Sequence, residues 1–449
     1  MADHDDGGDV VDVVVPGDKS IALRAVLLSL LAAGKTSTVR GVPPGRIFDA
    51  GLAAARALGA DVVVTDRDEH ERDIVIRAPR ALQSGAVIDC GGSATLARLL
   101  LGLLAGAGVD ATLTGSEMLS RRPMARAALP LMAVVGEDVI SLSDGRLPAR
   151  ISGPSAKPCA GAIVDVIDSA QVRAAVSLCA IAAGVPVTLR APGSQLPRRH
   201  TEQLVARLGV AVTSGSDGGR ALTTLSPGAE LAAVDMRLPA DPSAAAFIQA
   251  LAVGGRRPLR ALGVVVDRER SGFLRALQAM GVEAHGLPET ASAPDDVTSL
   301  VVADSTVAPC TRLRPLALAA ADVADLVDEV PMLAGLAALA DGESQLRGLA
   351  ELRVKESDRL SRVADLVVAF GARAHISGDD LVIFGVPAAR GAGGAAVPIV
   401  TDHDHRIGMS ALVLSALTGR DVVLDDPDCV DESWPHFRAV LADVRRRSS

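Results

Sequence analysis

The fold of this 449-residue chain is decided by the stretch from Ser93 to Gly108, whose sequence is SATLARLLLGLLAGAG. Serine is a common helix N-cap, glycine is the usual left-handed C-cap, and the residues between them are apolar on every face apart from Arg98. The stretch therefore predicts a helix that is buried on all sides. Five further stretches share its polar or charged first residue, apolar middle and closing glycine: Ser20–Gly34, Ser169–Gly184, Ser243–Gly254, Asp328–Gly342 and Asp404–Gly419.

The six stretches recur at a nearly constant spacing. Their closing glycines lie 70 to 88 residues apart, which indicates an internally repeated fold. An amphipathic segment follows each of the first five stretches and ends in a glycine turn, and most of these turns lead into a β-branched run: Leu58-Gly59-Ala60, Val135-Gly136-Glu137, Leu208-Gly209-Val210, Met280-Gly281-Val282 and Phe370-Gly371-Ala372. Each repeat is therefore expected to run strand, buried helix, strand, exposed helix, strand, which makes an α/β fold.

Composition excludes several classes of protein. Charged residues make up 22% and apolar residues 49% of the chain, as in an ordinary globular protein, and the net charge of −9 argues against a nucleic-acid partner. Arginines interrupt the apolar helices, so no membrane span is expected, and the acidic N-terminus lacks the basic region of a signal peptide. The five cysteines form no CxxC pair and their number is odd, which favours reduced thiols. We expect a cytoplasmic, monomeric protein.

Proline and glycine punctuation divides the repeats into two sets of three. The segments Val15-Pro16-Gly17-Asp18 and Leu238-Pro239-Ala240-Asp241-Pro242 each precede a helix start, and they predict hinges near 16–18 and 238–241. We expect an N-terminal domain at 19–238 and a discontinuous C-terminal domain at 1–16 and 241–449. The early strand of that second domain would be Asp9–Val15.

Cationic side chains gather where the buried helices of the first half begin. Helix N-termini attract anions, and an arginine within an apolar helix needs a partner, so this pattern predicts a negatively charged small-molecule ligand. The first three helix starts carry Lys19, Ser20 and Arg24, then Gly91, Gly92, Ser93 and Arg98, then Ser169, Gln171 and Arg173; Arg121-Arg122 and Arg198-Arg199 precede exposed helices.

The second half supplies the acidic residues. They lie in three segments: Asp328-Glu329, Glu351–Arg359 with the sequence ELRVKESDR, and Asp402-His403-Asp404-His405-Arg406. The last segment invites a metal-binding interpretation. His403 and His405 are two residues apart, however, and their side chains would diverge on a helix, so no metal is expected.

These segments occur in the order found in the 5-enolpyruvylshikimate-3-phosphate synthases, and the sequence resembles that family over essentially its whole length. The resemblance rests on Pro16-Gly17-Asp18-Lys19-Ser20, Asp89–Arg98, Arg121-Arg122-Pro123, Ser169-Ala170-Gln171 and, most specifically, Arg353–Arg359 with Asp404-His405-Arg406. It implies an enolpyruvyl transferase-like fold of two domains, each with three βαβαββ repeats whose buried helices point their N-termini at the interdomain cleft.

The resemblance also implies an activity. The family transfers the enolpyruvyl group of phosphoenolpyruvate to the 5-hydroxyl of shikimate 3-phosphate and releases phosphate, a step of the shikimate pathway of chorismate and aromatic amino-acid biosynthesis. It implies no metal and no cofactor. Several cations are needed because two anions must share one site.

Carried over motif by motif, the resemblance assigns a role to each candidate residue. The residues that would bind shikimate 3-phosphate are Lys19, Ser20, Arg24, Ser169, Ala170, Gln171, Arg198, Asp328 and Lys355. Those that would bind phosphoenolpyruvate are Lys19, Ala94, Arg122, Gln171, Arg359 and Arg406. Three of these residues would be catalytic. Asp328 would be the base for the attacking hydroxyl, Glu356 would exchange a proton with the methylene carbon, and Lys19 would contact both substrates.

The sequence departs from the family pattern at several positions. Gly92 stands where asparagine is usual, Ala94 where many members have glycine, Arg199 where aspartate is common, and Glu432 where many members carry a phosphate-binding lysine. The segment Pro43–Arg46 replaces an acidic one. The residues for phosphoenolpyruvate match the pattern better than those for the acceptor. Because Ala94 would lie near the site where the family binds the inhibitor glyphosate, the sequence also predicts resistance to it.

Three alternatives to the main interpretation stay open at this point. A paralogue could use another hydroxyl acceptor, and the related sugar-nucleotide enolpyruvyl transferases share the reaction type. The latter fit less well, because Cys90 precedes a helix cap and does not match their mobile-loop cysteine. A non-catalytic ligand-binding homologue would not need both Asp328 and Glu356.

Overall fold

The structure is a computed structural model that describes residues 10–153, 157–166, 169–191, 193, 198–287 and 300–448. The chain forms two compact units. The N-terminal unit is built from Gly17–Leu238, and the C-terminal unit contains the chain up to Pro16 and most of the chain from Pro239 onwards. No helix of the described residues is long and apolar enough to cross a bilayer.

In the first five repeats the helices and strands follow one another as the repeat pattern predicts. The C-terminal unit begins with β1 (Val11–Val13). The N-terminal unit then contains α1 (Lys19–Leu31), β2 (Thr36–Val42), α2 (Arg46–Ala57), β3 (Asp61–Asp66), β4 (Arg72–Arg77), β5 (Ala86–Asp89), α3 (Ala94–Ala107), β6 (Ala111–Thr114), α4 (Glu117–Ser120), α5 (Ala125–Val135), β7 (Ile140–Ser143), β8 (Arg146–Ile151), β9 (Ala162–Asp165), α6 (Ala170–Ala183), β10 (Val187–Arg190), α7 (His200–Arg207), β11 (Ala211–Asp217), β12 (Arg220–Ser226) and β13 (Asp235–Arg237). The C-terminal unit continues with α8 (Pro242–Ala252), β14 (Leu259–Val265), α9 (Gly272–Ala279), β15 (Ala284–His285), β16 (Val302–Val307), β17 (Ala317–Leu318), α10 (Val330–Ala338), β18 (Glu343–Leu346), α11 (Arg359–Ala369), β19 (Arg373–Ser377), β20 (Asp380–Phe384), β21 (Val397–Ile399), α12 (His405–Thr418), β22 (Val422–Leu424) and α13 (Phe437–Ser448).

Three four-stranded sheets make up the N-terminal unit, in the strand orders β13-β2-β4-β3, β5-β6-β8-β7 and β9-β10-β12-β11. In each sheet the first two strands are parallel and the last two form an antiparallel hairpin. The first strand of the first sheet is β13, which comes after the third repeat in sequence. The last strand of the unit in sequence therefore completes the sheet of its first repeat.

The C-terminal unit has two sheets of the same kind, β1-β14-β16-β15 and β17-β18-β20-β19. The strand β1 occupies the first position of one of them and pairs in parallel with β14. The sixth repeat differs from the predicted pattern, because its sheet contains only the parallel pair β21–β22 among the described residues. A 3₁₀ helix at Pro427–Glu432 and the helix α13 follow that pair.

The buried helices are confirmed: α1, α3, α6, α8, α10 and α12 have nearly all their residues in the core. In the N-terminal unit, α3 and α6 pack with almost no space between their backbones. A Cβ at Gly102 would lie 2.0 Å from the carbonyl oxygen of Ala175, and one at Gly106 would lie 2.1 Å from that of Cys179. These two glycines therefore allow the helices to approach each other.

Several predicted helix ends are wrong. Of the six buried helices, three end on the predicted left-handed glycine: α3 on Gly108, α6 on Gly184 and α12 on Gly419. The other three, α1, α8 and α10, end before the predicted glycine. The N-cap of α1 is Asp18, whose carboxylate accepts from the amide of Ile21, so Ser20 lies inside the first turn and Lys19 is the first helical residue. Gly254 is not a cap; a Cβ there would lie 2.4 Å from Leu417, so the glycine permits a close contact.

Candidate active site

In the N-terminal unit, the first turn of α1 holds a buried arginine in a fixed position. Arg24 Nη1 donates to the backbone oxygen of Ser20 at 2.9 Å and also to the Ser20 hydroxyl. Its Nε donates to Thr201 Oγ1 on α7 at 2.7 Å. Lys19 opens the same helix and is partly buried. The structure therefore brings Ser20 and Arg24 together at one helix start, with Lys19 beside them in sequence.

The starts of α3 and α6 are joined by hydrogen bonds between side chains. Arg98 Nη1 donates to Gln171 Oε1, and Arg98 Nη2 donates to the backbone oxygen of Pro123 at 3.1 Å. The amide nitrogen of Gln171 donates to Thr95 Oγ1 at 2.9 Å. The amide of Gln171 is thereby oriented from both ends. Arg98 received no role from the sequence, although its position within an apolar helix indicated that it needs a partner, and the structure gives it contacts with Gln171 and Pro123.

The other predicted residues of this unit also lie at or near helix starts. Ala94 is the buried first residue of α3, and Ala170 is the first residue of α6. Ser169 is the N-cap of α6, but its side chain makes no capping hydrogen bond. Arg122 is buried in the link between α4 and α5, and Arg198 lies two residues before α7.

In the C-terminal unit, the charged residues surround the guanidinium of Arg359, which is fully buried at the start of α11. Its Nε donates to Asp404 Oδ2 at 2.8 Å and its Nη2 to Asp404 Oδ1 at 3.1 Å. The same Nη2 donates to the carboxylate of Glu356. Nη1 has no hydrogen-bond partner in the part of the chain that the structure describes, and it lies 3.6 Å from Asp328 Oδ1.

These carboxylates keep Arg359 charged. Burial alone would lower the pKa of the guanidinium, but the charges of Asp404 and Glu356 outweigh that effect and raise the pKa above its usual value. Lys355 is a second cation near the Asp328 carboxylate, since its Nζ lies 3.5 Å from Asp328 Oδ1. The same Nζ lies 2.5 Å from Glu351 Oε1. Two carboxylates, Asp328 and Glu356, thus share one cluster with an arginine and a lysine.

Arg406 joins this cluster through the backbone. Its Nη1 donates to the carbonyl oxygen of Asp328 at 2.8 Å and lies 3.9 Å from Glu329 Oε1. Its amide nitrogen donates to Asp404 Oδ1 at 3.0 Å. The Ser243 hydroxyl donates to the buried Glu329, a residue to which the sequence gave no role. The structure therefore brings Asp328, Arg359 and Arg406 together around Asp404 and the start of α10.

The two histidines of this segment lie in different environments. His403 Nδ1 and Asp426 Oδ2 are 2.6 Å apart at the surface, whereas His405 is buried as the first residue of α12. Asp402 and His403 both have positive φ angles. In the described residues, no group of three or more His, Cys, Asp or Glu side chains could hold a metal ion.

Solved structures share this arrangement of helices and sheets. A structure of EPSP synthase from Acinetobacter baumannii has a TM-score of 0.75 with this chain at 28% sequence identity, and the similarity covers 99% of this chain and 97% of that one. The fold is therefore that of the two-domain enolpyruvyl transferases, a class that the βαβαββ repeats and the charged helix starts also support.

Sequence comparisons give the family within that class. A family model described as EPSP synthase (3-phosphoshikimate 1-carboxyvinyltransferase) matches residues 9–441. A relative of that enzyme name from Methylorubrum extorquens is 36% identical over 433 residues, covering 95% of this chain and 92% of the relative. One from Rhodospirillum rubrum is 37% identical over 438 residues, covering 95% and 93%. The chain belongs to the EPSP synthase family.

Proposed function

We propose that this protein transfers the enolpyruvyl group of phosphoenolpyruvate to the 5-hydroxyl of shikimate 3-phosphate and releases phosphate. The observation that carries the proposal is the cluster around Arg359, in which a buried guanidinium has Asp328 and Glu356 beside it. The reaction needs a cation for an anionic substrate and two carboxylates for proton transfer. Family membership and the names of the relatives supply the substrates.

The arginines have a direct role in binding. Arg359 and Arg406, with Arg122 and Lys19, bind the carboxylate and phosphate of phosphoenolpyruvate, because guanidinium groups suit bidentate binding of such anions. The Glu356 carboxylate accepts a hydrogen bond from Nη2 of Arg359. A substrate carboxylate that takes over this nitrogen would release Glu356 for proton transfer. The released carboxylate would then take up the proton that it delivers to the substrate.

The proton transfers follow from the two carboxylates. Protonated Glu356 gives its proton to the methylene carbon of phosphoenolpyruvate, which creates a cationic centre at the neighbouring carbon. The 5-hydroxyl of the acceptor attacks that centre, and Asp328 removes the hydroxyl proton. The methyl group then returns a proton to Glu356 as the C–O bond to phosphate breaks, which restores the double bond. Phosphate leaves with the proton that Asp328 removed from the hydroxyl. Lys355, close to Asp328, orients the acceptor.

The acceptor is bound by the residues of the N-terminal helix starts. Ser20 and Arg24, which are hydrogen-bonded to each other, and Ser169, whose hydroxyl is not used in capping, contribute to that binding. Ala170 and Arg198 lie at neighbouring helix starts. Gln171, oriented by Arg98 and Thr95, contacts both substrates.

The test of the function is phosphate release from phosphoenolpyruvate with a panel of hydroxyl acceptors. We expect release only when shikimate 3-phosphate is present. Release with a different acceptor and none with shikimate 3-phosphate would indicate a paralogue with another substrate. No release with any acceptor, combined with tight ligand binding, would indicate a binding protein.

The roles of the carboxylates are tested by Asp328→Asn and Glu356→Gln. Both variants keep the shape of the side chain and lose its proton-transfer capacity, so turnover should fall about 10²- to 10⁴-fold. Substrate affinity measured by calorimetry should change much less. Asp365→Asn, an exposed carboxylate on α11, is the matched control and should keep normal turnover. Loss of binding with normal turnover per bound complex would show that the assigned roles are wrong.

A further inference from the structure

The first turn of α7 is buried although it is made entirely of polar residues. His200, Thr201, Glu202 and Gln203 are each at most 2% exposed. Polar side chains in a core need hydrogen-bond partners. Thr201 and Glu202 accept hydrogen bonds from arginines of two buried helices. Arg24 Nε donates to Thr201 Oγ1, and Arg173 Nη2 donates to Glu202 Oε1 at 2.6 Å.

The hydrogen bonds of Arg24 to Ser20 and to Thr201 come from two different elements. Those to the backbone oxygen and hydroxyl of Ser20 lie within α1 and bind only Nη1. The bond from Nε to Thr201 comes from α7. The guanidinium is planar and is held at Nε by α7 and at Nη1 by α1. It therefore cannot change its orientation without breaking one of these hydrogen bonds. Thr201 therefore supplies a contact that fixes the orientation of the Arg24 guanidinium relative to α7.

We propose that Thr201 is a positioning residue for acceptor binding, which holds the guanidinium of Arg24 in the orientation that receives the anionic acceptor. The proposal rests on the proposed role of Arg24 in binding shikimate 3-phosphate. A guanidinium whose orientation is fixed before the ligand arrives loses less conformational freedom on binding. The Thr201 hydroxyl thus raises the affinity for the acceptor without touching it.

The experiment compares Thr201→Val with Thr201→Ser in the full-length protein. Valine keeps the shape of threonine and removes the hydrogen-bond acceptor, whereas serine retains the hydroxyl. Loss of a hydrogen bond to a charged group corresponds to about 10- to 100-fold in affinity. We expect Thr201→Val to raise KM for shikimate 3-phosphate by about that factor and to leave KM for phosphoenolpyruvate unchanged. In Thr201→Ser both KM values should stay near those of the wild type.

Thr223→Val is the matched control for the loss of a buried hydroxyl. Thr223 lies fully buried in β12 of the same unit, and its hydroxyl finds no hydrogen-bond partner in the described ranges. The same chemical change there should leave both KM values unchanged. Thermal unfolding of all variants checks that they are folded, and Thr201→Ala provides a second variant if the valine variant is unstable.

A double-mutant cycle with Arg24→Gln separates positioning from a general structural effect. Because Thr201 acts through Arg24, Thr201→Val should add no further loss of acceptor affinity in the Arg24→Gln background. Additive losses, or an equal rise of both KM values, would overturn the proposal. An unchanged KM for shikimate 3-phosphate in Thr201→Val would overturn it as well. A wild-type protein that releases no phosphate with this acceptor would instead contradict the proposed function.

Discussion

Replacement of Asp404 by asparagine should strongly destabilise the C-terminal unit. Asp404 is fully buried and each of its oxygens accepts two hydrogen bonds. Oδ2 accepts from Arg359 Nε and from the Ser357 hydroxyl, and Oδ1 accepts from Arg359 Nη2 and from the amide of Arg406. An asparagine NH₂ group placed at either position would face an N–H group of Arg359, which can only donate. Neither orientation of the amide can therefore satisfy the site.

The magnitude follows from the charge that would be left behind. Removal of one partner of a buried ion pair costs about 3 to 5 kcal/mol, because the remaining charge is uncompensated. Asparagine is as good an N-cap as aspartate, so the cap of α12 adds little to the loss. Glu356 and Asp328 remain close to Arg359 and offset part of its charge. We therefore expect a loss of about 3 kcal/mol in the free energy of unfolding, near the lower end of that range.

Intrinsic fluorescence is a selective assay for this effect. The chain has one tryptophan and no tyrosine, and Trp434 is buried in the C-terminal unit, with its ring centroid 5.2 Å from that of Phe437. Urea unfolding followed at Trp434 therefore reports on the unit that contains Asp404. A shift of the midpoint with an unchanged slope would measure the loss of stability directly.

Asp443→Asn is the matched control for this measurement. Asp443 lies on α13, is about half exposed and pairs with Arg446 and Arg447 at 2.9 Å. An exposed pair contributes about 0 to 1 kcal/mol, so the control should unfold almost like the wild type. If Asp404→Asn lost no more stability than Asp443→Asn, the buried carboxylate would not be the group that compensates Arg359.

Three further predictions concern other parts of the chain. Gly102→Ala should cost at least about 1 to 3 kcal/mol in the free energy of unfolding, measured by calorimetry, because its Cβ would collide with the carbonyl oxygen of Ala175. The hydrogen bond to Asp426 raises the pKa of His403 above its usual value near 6.5. The small stabilisation that this hydrogen bond gives is therefore fully present below about pH 6.5 and is lost as the pH rises through the folded-state pKa. The Tm difference between wild type and His403→Asn should be largest near pH 5 to 6 and vanish near pH 9. Ala94→Gly should strengthen inhibition by glyphosate by about one to two orders of magnitude at matched phosphoenolpyruvate saturation, because removal of a buried methyl group relieves crowding, and equal inhibition of both proteins would show that the methyl group does not discriminate.

The repeat, the buried helices and the family could be predicted from the sequence because they depend on local patterns. A run such as Ser93–Gly108 is apolar on all faces, and its cap residues lie at its own ends, so no distant residue is needed to recognise a buried helix. Motifs such as Arg353–Arg359 are also contiguous in sequence. The structure confirms all six buried helices, and the comparisons confirm the family.

The partners of the buried charges could not be predicted in this way, because they are distant in sequence. Arg98 and Gln171 are 73 residues apart, and Arg359 and Asp404 are 45 residues apart. A sequence pattern shows that a buried arginine needs a partner, but it does not show which carboxylate or amide the fold brings to it.

The glycines show the same limit. Gly254 has the spacing of a helix cap, yet its actual role is to admit the side chain of Leu417 from another helix. Local sequence thus determined which segments are buried helices and which residue types open them. Tertiary packing decided which distant atoms meet there, because contacts between separate elements depend on how those elements pack and not on the order of residues within any one of them.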